Sequence, residues 1–284
     1  MASLRYAYNT NGCAHHRLED AIDLIAKHGY DGVALTLDWH HLGPLAEDWQ
    51  ASTYAVHRQL KQRGLGCVIE TGARFLLDPT EKHEPTFVSR DKEEREVRLD
   101  FLKRAVDIGA LLHAETVSFW AGKLKQDLDK KQAFRQLGEG VVRLMDYAEE
   151  HGVSISLEPE PGMLIETNAD FERLVDANPS LQDRLLLALD LGHVWVTGES
   201  EPAEAIHRYA DRLGTISIEG MNAGEHIHLP LDQGDMEISP LLKALKDIDF
   251  QRLVCVELSR ESPRAHEAIP HSIELLKEFE AKLA

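Results

Sequence analysis

Short apolar runs rich in β-branched residues alternate with longer amphipathic segments about eight times along the 284 residues. The short runs predict buried strands, and the longer segments, with apolar residues at helical spacing, predict helices. Gly29, Gly64, Gly109 and Gly152 each follow a helical pattern and are predicted to end a helix. The predicted strands are 4–8, 32–37, 66–69, 116–119, 153–157, 185–189, 215–218 and 253–256, and the predicted helices are 18–28, 46–63, 92–108, 130–151, 168–178, 202–211, 239–247 and 266–284.

Eight units with almost continuously apolar strands predict a parallel sheet covered by helices and closed as an α/β, (β/α)8 TIM barrel. No linker or low-complexity stretch divides the chain, so we expect residues 1–284 to form a single barrel domain. A doubly wound open sheet is the alternative. It normally needs fewer units, and the Gly-x-Gly-x-x-Gly pattern of a dinucleotide-binding sheet does not follow the first predicted strand.

Acidic and imidazole side chains follow four successive predicted strands in the second half of the chain. A parallel barrel brings the carboxyl ends of its strands into one small space. Carboxylates that converge there repel one another unless a divalent cation or shared protons compensate them. The pattern therefore predicts a metalloenzyme. The side chains concerned are Glu158, Asp190 with His193, His226 with His228, and Glu257.

Two glutamates are predicted both to bind the metal and to act as the catalytic acid and base. Glu158 and Glu257 each end an apolar strand, and two carboxylates across a substrate suit the removal and return of a proton on carbon. The structural alternatives are that Glu158 caps a helix or pairs with a lysine, and that Glu257 pairs with an arginine. Glu160, two residues after Glu158, is expected to point elsewhere.

The seventh unit is less regular, because its histidines come after the predicted strand. We expect the side chains of His226 and His228 to point to opposite sides of an extended segment, so that only one faces a metal unless the segment twists. Both are kept as metal candidates with Asp190. His193 follows Asp190 closely and is predicted to bind a substrate hydroxyl, while direct ligation by its imidazole stays open.

The first half of the chain offers candidates for substrate binding. Asn9, His40, Glu70 and Trp120 follow the first four predicted strands, where polar groups and a flat aromatic ring suit a sugar or polyol. The long irregular segment 71–89 after the third strand is predicted to cover the substrate. No phosphate-binding motif is apparent, which favours an unphosphorylated substrate.

Charge and composition narrow the classes of partner. The chain has 49 acidic and 31 basic residues, a formal net charge of −18, which argues against nucleic acid as a partner. No apolar run is long enough for a membrane span, and residues 1–10 lack a signal-peptide pattern. Three scattered cysteines are typical of a reduced, cytoplasmic protein. We expect no nucleic acid or membrane partner, and a homo-oligomer stays open.

Four motifs, LEPEPG, LALDLGHVW, HIHLPLDQGDMEI and CVELS, resemble those of the xylose isomerase-like superfamily of sugar isomerases and epimerases. The resemblance spans nearly the whole chain. It implies a divalent ion (Mn²⁺ first, with Mg²⁺, Co²⁺ or Zn²⁺ as alternatives) held between Glu158, Asp190 and Glu257. That family usually places a ligand histidine on its seventh strand, where this chain has Ser217 or Glu219.

The leading hypothesis is a metal-dependent sugar or cyclitol isomerase or epimerase that transfers a proton next to a carbonyl through an enediolate. A lyase or dehydratase acting on a polyol or keto-sugar is the alternative, because the same enolate can expel a β-hydroxyl. A sugar-binding barrel without catalysis is the alternative from another class. DNA repair is disfavoured by the net charge and by the third and fourth strands, which lack the histidines of a trinuclear endonuclease site.

Overall fold

Eight parallel strands close into a barrel in the computed structural model, which describes residues 3–125 and 128–283. Going around the barrel, the first strand of the chain is followed by the last one and then by the other barrel strands in reverse chain order. The predicted (β/α)8 fold is confirmed, and each barrel strand overlaps one predicted from the sequence. The barrel strands are β1 (Arg5–Asn9), β2 (Gly32–Thr36), β3 (Gly66–Glu70), β4 (Val117–Trp120), β5 (Ile155–Glu158), β6 (Leu185–Asp190), β7 (Leu213–Ile218) and β10 (Leu253–Val256).

Helices follow the barrel strands and cover their outer side. Eight of them overlap the predicted helices, whereas the short helix Leu191–Thr197 was not predicted. The predicted end of the last helix, at residue 284, lies outside the described residues. None of the helices in the described ranges combines the length and apolar content that a bilayer span requires. The helices are α1 (Leu18–Lys27), α2 (Trp49–Arg63), α3 (Lys92–Leu112), α4 (Lys130–Glu150), α5 (Asn168–Ala177), α6 (Leu191–Thr197), α7 (Pro202–Arg208), α8 (Ile238–Asp247) and α9 (Ala265–Ala281).

The prediction that Gly109 ends a helix is wrong. Gly109 lies inside α3, which continues to Leu112 and ends at His113 in the left-handed conformation (φ 54°). A Cβ at position 109 would come within 2.9 Å of the Val117 side chain on β4. The glycine therefore allows close packing of the helix on the barrel rather than ending the helix.

A two-stranded antiparallel hairpin, β8 (Gly220–Asn222) with β9 (Glu225–Leu229), follows β7 and lies outside the barrel sheet. No strand was predicted for this segment from the sequence. Gly220 is required at its base, since a Cβ there would collide with the carbonyl oxygens of Pro230 and Gln233. The hairpin occupies the carboxyl end of the barrel and carries both His226 and His228.

Inward-facing side chains fill one part of the barrel with apolar groups. Ala7, Ala34, Val68, Leu253 and Cys255 form a buried cluster of their own. Their neighbours in sequence along the same strands belong instead to the large core beneath the helices. This alternation is the period-two pattern of strands. It identifies which positions near the strand ends also face inward.

Candidate metal centre

The inward-facing positions change from apolar to polar at the carboxyl ends of the strands. Glu70 comes two residues after Val68 on β3, and Glu257 comes two residues after Cys255 on β10. Asn9 follows Ala7 in the same way on β1. The period of two therefore carries these side chains into the barrel mouth. Glu158 and Asp190 are the last residues of β5 and β6 and are buried there.

The carboxylates at the mouth repel one another and are buried, and both effects raise pKa values. Burial, followed by the charges of Glu257, Glu70 and Asp190, raises the pKa of Glu158 well above its ordinary value. Burial and the charge of Glu257 raise the pKa of Glu70 to about 8, against an opposing hydrogen bond from Ser118. When no metal is bound, the carboxyl groups of Glu158 and Glu70 therefore tend to retain their protons at neutral pH.

Asp190 differs from its neighbours because imidazoles surround it. Burial acts to raise the pKa of Asp190, but the charges of His193 and His228 and a hydrogen bond from the His193 backbone amide outweigh burial and hold the pKa below its ordinary value. Its Oδ2 lies 3.6 Å from the Nε2 atom of His193. Asp190 therefore favours its ionised form.

His226 and His228 face the same side of β9, so the expectation of opposite sides is wrong. Residues two apart in a strand share one face. Their Nε2 atoms lie 3.3 Å apart, and the ring of His193 lies against both, with centroid distances of 4.7 Å to His226 and 5.8 Å to His228. The structure thus brings three imidazoles together at the edge of the acidic cluster.

Backbone carbonyls orient two of these imidazoles. The Nδ1 atom of His193 lies 3.0 Å from the carbonyl oxygen of Pro159, and that of His228 lies 3.2 Å from the carbonyl oxygen of Glu257. When Nδ1–H donates in each case, Nε2 keeps its lone pair. This arrangement is usual for histidines that bind metals, because the carbonyl fixes the tautomer and the orientation of the ring.

Helix α6 fixes the position of the hairpin. Trp195 on this helix donates from Nε1 to the Oδ1 atom of Asp235 (2.6 Å), which also accepts from the backbone amide of Ala223 at the hairpin turn (3.0 Å). Gly192 in the same helix lies against the Glu219 carboxylate, which leaves no room for a Cβ. Glu219 is completely buried, and burial and the charge of Asp190 raise its pKa well above its ordinary value.

The residues at the mouth fit a divalent cation. Three overlapping groups each place three ligand atoms within 4.8 Å of one another. Within the part of the chain that the structure describes, four buried atoms of these groups have no hydrogen-bond partner: the Oδ2 of Asp190, the Nε2 of His193 and both carboxylate oxygens of Glu219. Carboxylate oxygen and imidazole nitrogen together suit Mn²⁺ and Zn²⁺. The groups are His193–His226–His228, Glu158–Asp190–His193 and Asp190–Glu219–His228.

Glu257 lies next to His228, whose Nδ1 atom is 3.2 Å from the Glu257 carbonyl oxygen. Among the described residues, none of the three groups contains it. Its Oε1 atom accepts a hydrogen bond from the Nδ2 atom of Asn11 (2.8 Å). The amide thus orients a carboxylate at the edge of the metal-binding groups, and metal binding by Glu257 stays a prediction.

A cavity of about 330 Å³ opens above the cluster and contains most of the predicted site residues. Asp190 lies beneath its surface. His40 is not among the lining side chains; its ring packs between those of Trp39 and His41. The predicted residues that line the cavity are Asn9, Glu70, Trp120, Glu158, His193, His226, His228 and Glu257.

Asn9 and Trp120 have well-defined surroundings in the cavity wall. The Oδ1 atom of Asn9 accepts hydrogen bonds from Thr36 Oγ1 (2.7 Å) and the backbone amide of Asn11 (3.1 Å). The guanidinium carbon of Arg98 lies 4.7 Å from the centre of the Trp120 ring, and Arg98 is only 1% exposed. Arg98 was not predicted as a site residue, although it is spaced three and four residues from Phe101 and Leu102 on the apolar face of α3.

Glu160 also lines the cavity, contrary to the expectation that its side chain points elsewhere. Burial, followed by the charge of Glu257, raises its pKa to about 7. Glu160 stands two residues after Glu158, and the period of two that places Glu158 in the mouth indicated the same for Glu160. The cavity therefore contains an additional carboxyl group that titrates near neutrality.

The chain belongs to the xylose isomerase-like TIM barrel family, whose model matches residues 22–279. The inosose dehydratase of Clostridium perfringens is 20% identical over 169 residues, which are 54% of this chain and 56% of that protein. The chain thus spans just over half the length of that relative. The family resemblance expected from the four motifs is confirmed.

Two solved structures share the fold over nearly the full length of the chain. A structure of the IOLI protein with a bound zinc atom has a TM-score of 0.78 and 20% identity, covering 98% of this chain and 99% of that one. A 3-keto-D-glucoside 4-epimerase from E. coli has a TM-score of 0.78 and 16% identity, covering 97% and 100%. At these identities the likeness shows the common barrel, and the chemistry has to be argued from the side chains of this chain.

Proposed function

We propose that this protein is a divalent-metal-dependent isomerase or epimerase of a sugar or cyclitol, working by proton transfer next to a carbonyl. The observation that carries the proposal is the position of Glu158 and Glu257 in one cavity beside groups that fit a cation. The family and the fold shared with an epimerase support it.

The proposed metal ligands are Glu158, Asp190, His226, His228 and Glu257, with His193 close enough to contribute. A divalent ion held by these residues would supply positive charge that polarises a carbonyl and offsets the negative charge that develops when the neighbouring carbon loses a proton. Asp190 is ionised, and burial lowers the pKa values of His193 and His226, so these groups do not need to lose a proton first at neutral pH. The charges of Glu257 and Asp190 raise the pKa of His228 against burial, so metal binding would displace a proton from this imidazole.

The two glutamates would exchange protons with the carbon next to the carbonyl. Glu257, held by Asn11, removes a proton on one side, and Glu158 returns one on the other. Burial and the neighbouring carboxylates raise the pKa of Glu158 well above its ordinary value, so this group holds a proton readily and suits the return of a proton to carbon. For an isomerase the same pair moves a proton between neighbouring carbon atoms.

Other residues would position the substrate and exclude water. Trp120 offers a flat apolar face for a sugar ring, and His193 is proposed to contact a substrate hydroxyl where it does not bind the metal. Glu70, hydrogen-bonded to Ser118, is placed to contact another hydroxyl. Asn9 supports the wall through Thr36 and Asn11 and faces the cavity.

A dehydratase is the second candidate, and Glu160 is the observation that favours it. Expulsion of a β-hydroxyl needs an acid to protonate the leaving oxygen. Glu160 lines the cavity and has a pKa raised to about 7, so it retains a proton over much of the neutral range. The dehydratase relative also supports this candidate.

Solvent exchange separates these candidates. Manganese-loaded protein is incubated in D₂O with ketohexoses and keto-cyclitols, and the products are analysed by NMR and mass spectrometry. We expect deuterium next to the carbonyl, lost in Glu257→Gln and retained in the control Glu267→Gln, which changes an exposed glutamate. Loss of water from the substrate would instead identify a dehydratase. Binding of sugar to metal-loaded protein without exchange or water loss would contradict catalysis and favour a non-catalytic sugar-binding barrel.

A further inference from the structure

A second cavity of about 390 Å³ lies beside the first and shares part of its wall. Lys82, His83 and Trp120 line both cavities. The first cavity, about 330 Å³, is at the small end of the range of roughly 300–1,000 Å³ that is usual for ligand pockets. The shared wall makes the two cavities neighbouring parts of one cleft, with the metal centre at one end.

Loops after three neighbouring strands build the second cavity. The backbone amide of Leu164 donates to the carbonyl oxygen of Gly122 (2.9 Å), which joins the loops after β5 and β4. Gly122 has a positive φ of 98° and packs against Thr86, so no Cβ fits between the loops after β4 and β3. The cavity is therefore formed by loops that are held together by specific contacts.

The charges in this cavity differ from those at the metal centre. Lys125 is neutralised by Glu81 at 2.9 Å and Glu84 at 3.7 Å. Lys82 and Lys123 also line the cavity, and within the described ranges neither has a carboxylate within 4.0 Å. Three lysines (Lys82, Lys123 and Lys125) and two glutamates (Glu81 and Glu84) line the cavity, so their formal charges sum to +1 in a protein with a net charge of −18. They leave this end of the cleft with a local positive charge.

We propose that the substrate carries an anionic group, a phosphate or a carboxylate, at the end remote from the reacting carbonyl, and that Lys82 and Lys123 bind this group in the second cavity. This inference rests on the proposed function, since it identifies the class of substrate for that site. It revises the sequence-based expectation of an unphosphorylated substrate. Lysine binds phosphate and carboxylate as a point charge and needs no glycine-rich motif.

The carbonyl group and the anionic group of such a substrate would bind at different ends of the cleft. The carbonyl end needs the acidic and imidazole cluster, which repels anions when no metal is bound. The anionic end lies beyond Trp120, where the ammonium of Lys82 stands between the cavities. A neutral monosaccharide would occupy the first cavity alone and would leave the charges of Lys82 and Lys123 unused.

Matched probes test this assignment. Binding of D-fructose, D-fructose 6-phosphate and D-fructuronate is measured by calorimetry, with manganese-loaded and EDTA-treated protein. We expect at least one anionic probe to bind about tenfold or more tightly than fructose, which is the effect of a charge-assisted contact. The tighter of the two anionic probes distinguishes phosphate from carboxylate. The preference should weaken in 0.5 M salt, because the ammonium groups are exposed and screened (~3–5 Å screening length).

The Lys82→Gln/Lys123→Gln double variant should bind all three probes with the affinity of fructose, and Lys131→Gln, at an exposed position on α4, should behave as the unchanged protein. Equal affinities in the unchanged protein would overturn the proposal. So would an anion preference that survives in the double variant, since the anion would then bind at the metal centre.

Metal content, measured on the same samples, separates the two proposals. Stoichiometric metal without lysine-dependent anion binding refutes the proposed anion site alone, and lysine-dependent anion binding without metal refutes the proposed function alone.

Discussion

The crowding of carboxylates at the barrel mouth should make the metal-free protein less stable as the pH rises from 6.5 to 8.5. Burial and the charge of Glu257 raise the pKa of Glu70 to about 8 and that of Glu160 to about 7. Both groups are ionised in the unfolded chain throughout this window, whereas in the folded chain Glu160 loses its proton around pH 7 and Glu70 loses its proton around pH 8. The folded state therefore binds more protons, and its stability falls as the pH passes through the raised pKa values.

The expected effect is large enough to measure. Each pKa unit corresponds to about 1.4 kcal/mol, so Glu70 and Glu160 together lose on the order of 3 kcal/mol between pH 6.5 and 8.5. For a chain of this size that corresponds to a fall of roughly 5–10 °C in the thermal midpoint. Buried histidines change the stability in the opposite direction, mainly below this pH window. Burial lowers the pKa of His41 and of His83 to about 4, so the folded state gains stability as the pH rises from about 4 towards 6.5.

The assay is thermal unfolding by circular dichroism in EDTA at pH 6.5, 7.5 and 8.5, repeated with saturating Mn²⁺. We expect the metal to stabilise the protein most at pH 8.5, because cation binding requires ionised carboxylates. Glu70→Gln should flatten the pH dependence of the metal-free protein, while Glu267→Gln, at an exposed position, should leave it unchanged. A midpoint of the metal-free protein that stays constant or rises over this window would refute the reasoning.

Two further substitutions test how the site is supported. Gly192→Ala should weaken Mn²⁺ binding at least about tenfold, because the added Cβ would displace the Glu219 carboxylate beside the metal-binding groups. The control Gly43→Ala, where a Cβ makes only ordinary contacts from 3.6 Å, should leave the Mn²⁺ affinity unchanged. Arg98→Met should weaken sugar binding several-fold and leave the thermal midpoint equal or higher, because it removes a buried charge but also the cation beneath Trp120. Calorimetry and thermal unfolding check both effects, and a Gly192→Ala protein with unchanged affinity or an Arg98→Met protein with unchanged sugar binding would contradict them.

The barrel and half of its centre could be predicted because one physical pattern specifies both. Strands buried on both faces are continuously apolar, and a polar side chain at the carboxyl end of such a strand has to reach the mouth. Glu158, Asp190 and Glu257 follow from this argument. The short helix α6 was missed because Asp190 both ends β6 and caps that helix, with its Oδ1 atom accepting from the His193 amide at 2.8 Å.

The histidine part of the centre depended on tertiary contacts that the sequence pattern does not contain. Segment 220–229 has no long apolar run, and its hairpin is held by Asp235, twelve residues after Ala223. Once the segment is extended, the period of two places His226 and His228 on one face, contrary to the expectation from the sequence. The resemblance to the family implied a ligand histidine at the position of Ser217 or Glu219 on the seventh strand. Ser217 pairs with Asp190 on β6, and the imidazoles come instead from the hairpin that follows the strand.

Metal content is the most direct test of the claim that this mouth is a metal centre. The protein is dialysed against Mn²⁺ or Zn²⁺ and its metal is measured by mass spectrometry, for the unchanged chain, an Asp190→Asn/His228→Ala double variant and a His266→Ala control at an exposed histidine. We predict stoichiometric divalent metal in the unchanged chain and the control, and its loss from the double variant while the fold is retained. Folded, unchanged protein without stoichiometric metal, or a double variant that binds as much metal, would contradict the account.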